Sequence, residues 1–302
     1  MNAPGIVPHC VIPRMTRGKW KIVFDSFLPS AFSHDNPIFT MKTTPNRIRA
    51  LKNHARIPAL TAYDHATAKL VDAAGIPLIL VGDSLGMTVL GFSSTLPVSM
   101  EHMLHHTAAV ARGVENALVV ADMPFLSYQV NEDEAVRNAG RFLQEAGADA
   151  VKLEGGAERA GLISRLVQNG IPVMGHIGLT PQSVKELGYK VQGRGPAGAK
   201  MLADAKALAD AGVFAIVLEA CPATLARDIT ASVSVPTIGI GAGKECDGQI
   251  LVLHDMLGMF SDFTPKFVKV YAQVGEEMKK AFAQYAEEVR EGEFPGPEHC
   301  YD

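Results

Sequence analysis

The feature that most constrains this chain is a rhythm. From Met41 onward, short apolar runs of strand type alternate with Ala- and Leu-rich stretches of helical type. The runs are Ile57 to Ala62, Pro77 to Gly82, Ala117 to Ala121, Ala150 to Leu153, Ile171 to Gly175, Phe214 to Leu218, Val235 to Ile240, and a weaker one at Ile250 to His254. Continuous apolar strands separated by helices are the signature of parallel βαβ units, because crossover helices cover the strands and leave no wet face. Eight such runs predict a closed (β/α)₈ barrel, with an open doubly wound sheet as the alternative. Helices are predicted over His65–Ala74, Asp133–Ala146, Ala157–Asn169, Gly198–Ala211 and Thr224–Ala231. Gly75, Gly147, Gly170 and Gly212 are placed to stop the helical segments. A last helix is predicted from Phe267 to Gly292, for packing or subunit contact.

The first forty residues do not share this rhythm. Pro4, Pro8, Pro13, Pro29 and Pro37 interrupt them, and no secretory apolar core is present. Residues 1–40 are therefore expected to be a poorly ordered extension and residues 41–302 a single catalytic domain. Two readings of the extension are open. Arg14, Arg17, Lys19 and Lys21 suggest a mitochondrial transit segment, against which Asp25 and Asp35 count, and Met41 is a possible true start. The expected compartment is the cytoplasm, with mitochondria as the alternative.

Composition narrows the function. A net charge of -4 with 20% charged residues provides no basic footprint for nucleic acid. No apolar run approaches the roughly 20 residues of a membrane span. Cys10, Cys221, Cys246 and Cys300 form no C-x-x-C pair, which argues against a zinc ribbon or redox motif. A small-molecule substrate is the reading that remains.

In a barrel of this kind the site lies at the C-terminal ends of the strands, so polar residues that end apolar runs are the candidates. Asp83, Asp122 and Glu154 end three successive runs. Converging on one mouth, their hard oxygens suit Mg²⁺, which keeps water and leaves room for substrate. Each could instead cap the following helix. Lys152 and Glu154 are two apart on one strand and share a face, either as a structural ion pair or with Glu154 on the metal and Lys152 on an anionic substrate group. Glu219 ends the sixth run and is a candidate general base beside a metal-held keto acid, the alternative being a salt bridge to Lys152 or Arg194. His176 ends the fifth run and would support the substrate or simply be a satisfied strand-end histidine. His102, His105 and His106 have helical spacing and read as helix surface. Gly239-Ile240-Gly241-Ala242-Gly243 lacks the dinucleotide spacing and comes late in the chain. Its glycines fit close backbone approach to a substrate or loop. Gly188 to Gly195, within the long connection Thr180 to Ala199, is a candidate mobile lid or a plain surface loop.

Several long strings occur together and in order. They include Thr61-Ala62-Tyr63-Asp64, Val81-Gly82-Asp83-Ser84-Leu85-Gly86-Met87, His106-Thr107-Ala108-Ala109-Val110, Val151-Lys152-Leu153-Glu154-Gly155-Gly156, and Gly175-His176-Ile177-Gly178-Leu179-Thr180-Pro181-Gln182-Ser183. Tyr189-Lys190-Val191-Gln192-Gly193-Arg194, Ile238-Gly239-Ile240-Gly241-Ala242-Gly243 and Asp247-Gly248-Gln249-Ile250-Leu251-Val252 follow. Over residues 42–296 the chain resembles the ketopantoate hydroxymethyltransferases. The resemblance implies a barrel of the phosphoenolpyruvate/pyruvate type. It also implies transfer of a one-carbon unit from 5,10-methylenetetrahydrofolate to 3-methyl-2-oxobutanoate through a Mg²⁺-stabilised enolate, giving 2-dehydropantoate on the way to pantothenate. By position it implies Asp83, Asp122 and Glu154 as Mg²⁺ ligands, Asp83, Ser84, Asp122 and Lys152 as keto-acid contacts, Glu219 as proton acceptor, and a homodecamer. The departures from the family pattern are the N-terminal extension and Glu219-Ala220-Cys221-Pro222. A lyase with a cysteine-bearing lid, a Schiff-base aldolase on Lys152 and a decayed scaffold barrel are the competing classes. The loop Thr180 to Ala199 contains no cysteine, and all five charged strand-end groups are present.

Overall fold

The computed structural model describes residues 14–16, 19–21, 42–259 and 265–301. The chain divides into two units between Ile38 and Phe39. In the first, Arg14–Thr16 pairs antiparallel with Lys19–Lys21, Met15 standing opposite Trp20. The expectations for the rest of residues 1–40 lie outside the described residues.

The second unit is a closed parallel barrel. Its strands are β1 (Ile57–Thr61), β2 (Leu78–Val81), β3 (Leu118–Asp122), β4 (Ala150–Glu154), β5 (Val173–Gly178), β6 (Ala215–Glu219), β7 (Thr237–Ile240) and β8 (Gly248–Leu251). β8 pairs with both β7 and β1 and closes the cylinder, which decides against the open sheet. The four glycine stops all take positive φ, the left-handed conformation that ends a helix without a Cβ penalty.

Alternation along the strands divides the core in two. Ile57, Leu80, Val120, Ala150, Met174 and Val217 belong to one buried cluster, which fills the lumen. Ile79, Val119, Val151, Val173, Ile216 and Leu218, one residue out of phase, belong to the cluster that packs under the helices. The helix Glu132–Gln144 shows why the outer layer forms. It buries Ala135, Ala139 and Phe142 at i, i+4 and i+7, Asn131 caps its start, and its first turn is acidic, complementing the helix dipole. Phe142 is fully buried, and Phe142→Ala would cost about 3–5 kcal/mol. At the N-terminal end of the barrel, the short helix Pro45–Ala50 drives Ile48 into the lumen cluster. Arg49 donates to the carbonyls of Gly212 and Val213 at 3.0 and 2.7 Å. That end is plugged, and the C-terminal mouth is left for chemistry.

Two expectations are corrected near the C-terminus. The eighth strand starts at Gly248 rather than Ile250, and residues 241–247 return directly from β7 without a helix. The final helix runs Val274–Glu291, not from Phe267. The amides of Tyr271 and Val274 donate to the carbonyls of Met256 and Leu257, at 2.7 and 2.8 Å. They serve the end of the helix Leu253–Met256, so a new helix cannot begin before 274. That last helix buries no residue in its own chain, and it displays Met278, Phe282, Tyr285 and Val289, 39–63% exposed, along one stripe.

Candidate active site

The lumen phase carries straight into the site. Residues 118, 120 and 122 share a face, as do 150, 152 and 154, 174 and 176, and 215, 217 and 219, so Asp122, Lys152, Glu154, His176 and Glu219 cap the apolar lumen column. Parallel register sets Asp122 beside Lys152 and Glu154 beside His176. Asp83 follows β2, and its amide N–H donates to Asp122 Oδ2 at 3.2 Å. None of the three carboxylates is a helix cap. The turn Leu85–Thr88 begins on Ser84, and the helices after Asp122 and Glu154 have caps at Asn131 and at Gly156 followed by Arg159.

These groups are nearly dry. Asp83, Asp122, Lys152, Glu154 and His176 are 1–5% exposed. Lys152 Nζ lies 2.6 and 2.7 Å from the two Asp122 oxygens and 4.0 Å from Glu154 Oε1. The ion pair expected between Lys152 and Glu154 is thus chiefly one between Lys152 and Asp122. Burial lowers the Lys152 pKa, but Asp122, Glu154 and Asp83 together hold its ammonium above the usual lysine range. One ammonium does not balance three carboxylates. Burial raises the Asp83 carboxyl well above the ordinary range, and the charges of Asp122 and Glu154 push it further. Asp122 also rises through burial, with Lys152 opposing the shift.

His176 bridges the cluster and the base candidate. Its Nδ1 lies 3.5 Å from Glu154 Oε1 and its Nε2 3.2 Å from Glu219 Oε2. Burial and Lys152 lower its pKa, but the two glutamates raise it to about 9 overall. Glu219 therefore faces His176, not Lys152 or Arg194, and its side chain keeps 16% exposure at the edge of the mouth. Ala220 next to it has φ 45, a left-handed conformation unusual for alanine. Its N–H donates to the Ile240 carbonyl at 2.9 Å and its carbonyl accepts from the Gln192 amide at 2.8 Å, so the turn bearing Glu219 is clamped.

The sequence placed Asp83, Asp122 and Glu154 on one ion. The structure brings them to one mouth but turns both Asp122 oxygens toward Lys152, and among the described residues no three His, Cys, Asp or Glu groups form a ready-made metal cage. One oxygen does point to a missing partner, because Glu154 Oε1 is buried without a hydrogen bond.

Tyr63, Tyr128 and Gln182 escaped sequence reading as individuals, and His106 was misplaced by it. Tyr63, fully buried, hydrogen-bonds its hydroxyl to Ser84 Oγ at 2.8 Å, and burial pushes its phenol up to about 12. His106 is not helix surface, since its Nδ1 meets the Tyr63 carbonyl at 2.7 Å. His102 closes a capping box with Ser99, and only His105 of the trio is exposed. Tyr128 and Gln182 complete the set, their hydroxyl and amide oxygen 2.7 Å apart. Gln182 is 5% exposed at the start of the connection Thr180 to Ala199, so that end is built into the site, while Tyr189 and Val191 in the candidate lid Gly188 to Gly195 stand outward. The glycine-rich turn after β7 approaches a neighbouring helix. A Cβ on Gly243 would lie 2.5 Å from that of Ala223.

Comparison with known proteins decides the family. The family model described as ketopantoate hydroxymethyltransferase matches residues 42–297. The chain belongs to the ketopantoate hydroxymethyltransferase family. Relatives named 3-methyl-2-oxobutanoate hydroxymethyltransferase include that of Syntrophus aciditrophicus, 57% identical over 86% of this chain and 97% of its own length. That of Clostridium novyi is 59% identical over 86% and 96%. Among solved structures, a 2,3-dimethylmalate lyase of the PEP mutase/isocitrate lyase superfamily has 17% identity and a TM-score of 0.56, over 85% of this chain and 88% of its own. A phosphonopyruvate hydrolase solved with oxalate and Mg²⁺ also reaches 0.56, at 15% identity over 85% and 93%. At such identities the likeness shows the fold. Within the described residues no helix is long and apolar enough to cross a membrane.

Proposed function

We propose that this chain transfers the one-carbon unit of 5,10-methylenetetrahydrofolate to 3-methyl-2-oxobutanoate, giving 2-dehydropantoate. The observation that carries the reading is Glu219, a half-sheltered carboxylate held against His176 at the rim of a buried Asp83, Asp122, Lys152 and Glu154 cluster.

The cluster fits a divalent metal. Mg²⁺ is usually bound by one or two carboxylates and completes its shell with water and substrate oxygens. The burial and carboxylate repulsion that raise Asp83, and the lack of a hydrogen bond at Glu154 Oε1, are what such an ion would relieve. Asp83, Asp122 and Glu154 would hold it. When bound, it would supply Lewis-acid stabilisation of charge developing at the keto oxygen.

The remaining steps belong to the chain's own residues. Lys152, kept protonated, holds the substrate carboxylate. Ser84, oriented by Tyr63, donates to the substrate. Glu219, oriented by His176, takes the proton from C3, and the C–H electron pair passes into the keto group. C3 then bonds to the folate's methylene carbon as one of that carbon's two bonds to folate nitrogen breaks. Water displaces the second nitrogen and leaves its hydroxyl on the carbon, and the C3 proton and a water proton end on the two nitrogens. A Schiff base on Lys152 needs a free amine, which the surrounding carboxylates oppose. A homo-oligomer, a decamer by family resemblance, is part of the same reading and is supported by the exposed apolar stripe on Val274–Glu291. The cytoplasm is the compartment proposed with it.

The deciding experiment follows the C3 proton of 3-methyl-2-oxobutanoate by NMR in D₂O, with Mg²⁺ or EDTA. Metal-dependent exchange is expected. Glu219→Gln should slow it by about 10²- to 10⁴-fold, the range of general-base catalysis, with metal affinity unchanged. No exchange, together with no product after the folate is added, would sink the transferase reading.

A further inference from the structure

We propose that Gln182 is a positioning residue: its side-chain amide, whose orientation Tyr128 sets, holds Asp83 while its backbone N–H holds Glu154, so that one residue keeps the two carboxylates in fixed mutual register. The inference rests on the reading above, in which these carboxylates hold the divalent ion.

Gln182 lies in the turn Pro181–Ser183, just past the end of β5. Its backbone N–H donates to Glu154 Oε2 at 3.1 Å. Its side-chain Nε2 donates to Asp83 Oδ2 at 3.0 Å and to the Met123 carbonyl at 2.9 Å. Its Oε1 accepts from the Tyr128 hydroxyl at 2.7 Å and from Gln129 Nε2 at 3.2 Å. Both amide protons and both oxygen lone pairs are therefore used.

That satisfaction assigns the amide. Flipped, its oxygen would face the Asp83 carboxylate and the Met123 carbonyl, and its NH₂ would face the Gln129 NH₂. Tyr128 has a single hydroxyl proton, which goes to the nearer acceptor, Gln182 Oε1 at 2.7 Å, rather than the Glu154 carbonyl at 3.3 Å. Burial keeps that phenol protonated, well above its ordinary pKa. The arrangement ties one oxygen of each carboxylate, Asp83 Oδ2 and Glu154 Oε2, and leaves the other oxygen of each for a ligand. Glu154 Oε1, the oxygen left over, is buried without a hydrogen bond and has only the longer ionic contacts to His176 Nδ1 at 3.5 Å and Lys152 Nζ at 4.0 Å. A residue that only stabilised the fold would have no reason to divide two carboxylates in this way.

The test is Mn²⁺ titrated into the metal-free full chain, with free Mn²⁺ read by electron paramagnetic resonance. Groups that orient metal ligands typically govern affinity by about 10- to 100-fold. Gln182→Met should weaken Mn²⁺ binding in that range, and Tyr128→Phe should weaken it in the same direction by less. If both variants keep wild-type circular dichroism and bind Mn²⁺ as the wild type does, the positioning role is overturned. If the wild type itself binds no Mn²⁺, the metal reading fails instead. Should Gln182→Met not fold, Tyr128→Phe decides: it leaves the glutamine in place and removes one of its oxygen's two donors, together with the hydroxyl that accepts from the Glu154 backbone N–H at 3.2 Å.

Discussion

Replacing Lys152 by methionine removes the one ammonium inside the carboxylate cluster while keeping most of the stem's volume. At 2.6 Å from Asp122, with side chains 4% and 2% exposed, the pair's attraction is on the order of 6 kcal/mol at an effective dielectric of about 20. Relaxation and protonation of one carboxyl return part of this, and breaking a buried pair from one side costs about 3–5 kcal/mol. For a domain of this size each kcal/mol moves Tm by about 2–4 °C, so the metal-free variant should melt about 6 to 20 °C below wild type at pH 7. The deficit should shrink at pH 5. Burial raises the Asp83 and Asp122 carboxyls; a carboxyl with a raised folded pKa binds its proton more tightly in the folded state, so acid relieves the repulsion. The double variant Lys152→Met with Asp122→Asn should recover much of the loss. Thermal melts by circular dichroism read all three. A fall of under about 2 °C, or a double variant as unstable as the two single losses added, would refute the account of Lys152 as the cluster's counter-charge.

Other consequences follow from single contacts. Gly178 has φ +103 and a Cβ there would sit 2.2 Å from the Glu219 carbonyl oxygen. Gly178→Ala should therefore cost about 2 kcal/mol or more and displace the base, so both Tm and C3 proton exchange should fall; an unchanged exchange rate would contradict that placement. His176 in the metal-free protein should titrate near 9 by NMR. Its folded pKa lies above the unfolded value of about 6.5, so its stabilisation, on the order of 3 kcal/mol, is complete below pH about 6.5 and is lost as pH rises through about 9. A midpoint at or below 6.5 would mean that Glu154 and Glu219 do not hold it. Phe282→Asp, at the centre of the exposed stripe on the last helix, should lower the assembled mass in light scattering; an unaltered mass would remove that stripe from any subunit contact.

Much of the site was legible because its cause is local. Alternation on a strand has a fixed period, so Asp122, Lys152, Glu154, His176 and Glu219 could be assigned to strand ends, and the barrel rule then sends strand ends to one mouth. The partners were not legible. Gln182 and Asp83 are 99 residues apart, and nothing in Thr180-Pro181-Gln182-Ser183 marks the glutamine as buried. The histidine trio misled for a similar reason. Helical spacing describes a face but not what covers it, and His106 is covered by the strand-end backbone at Tyr63.

From its sequence alone this chain was committed to parallel strands, a lumen filled by every second strand residue, and charged groups gathered at the C-terminal end. Those follow from backbone periodicity and the cost of burying charge anywhere else. Only the folded chain decided which charges neutralise one another: that Lys152 serves Asp122 first, that His176 stands between two glutamates, and that the last helix waits until Val274 and then buries none of itself. Such choices turn on distances of about an ångström between groups remote in sequence, and hydrogen bonds and buried charges are sensitive on that scale.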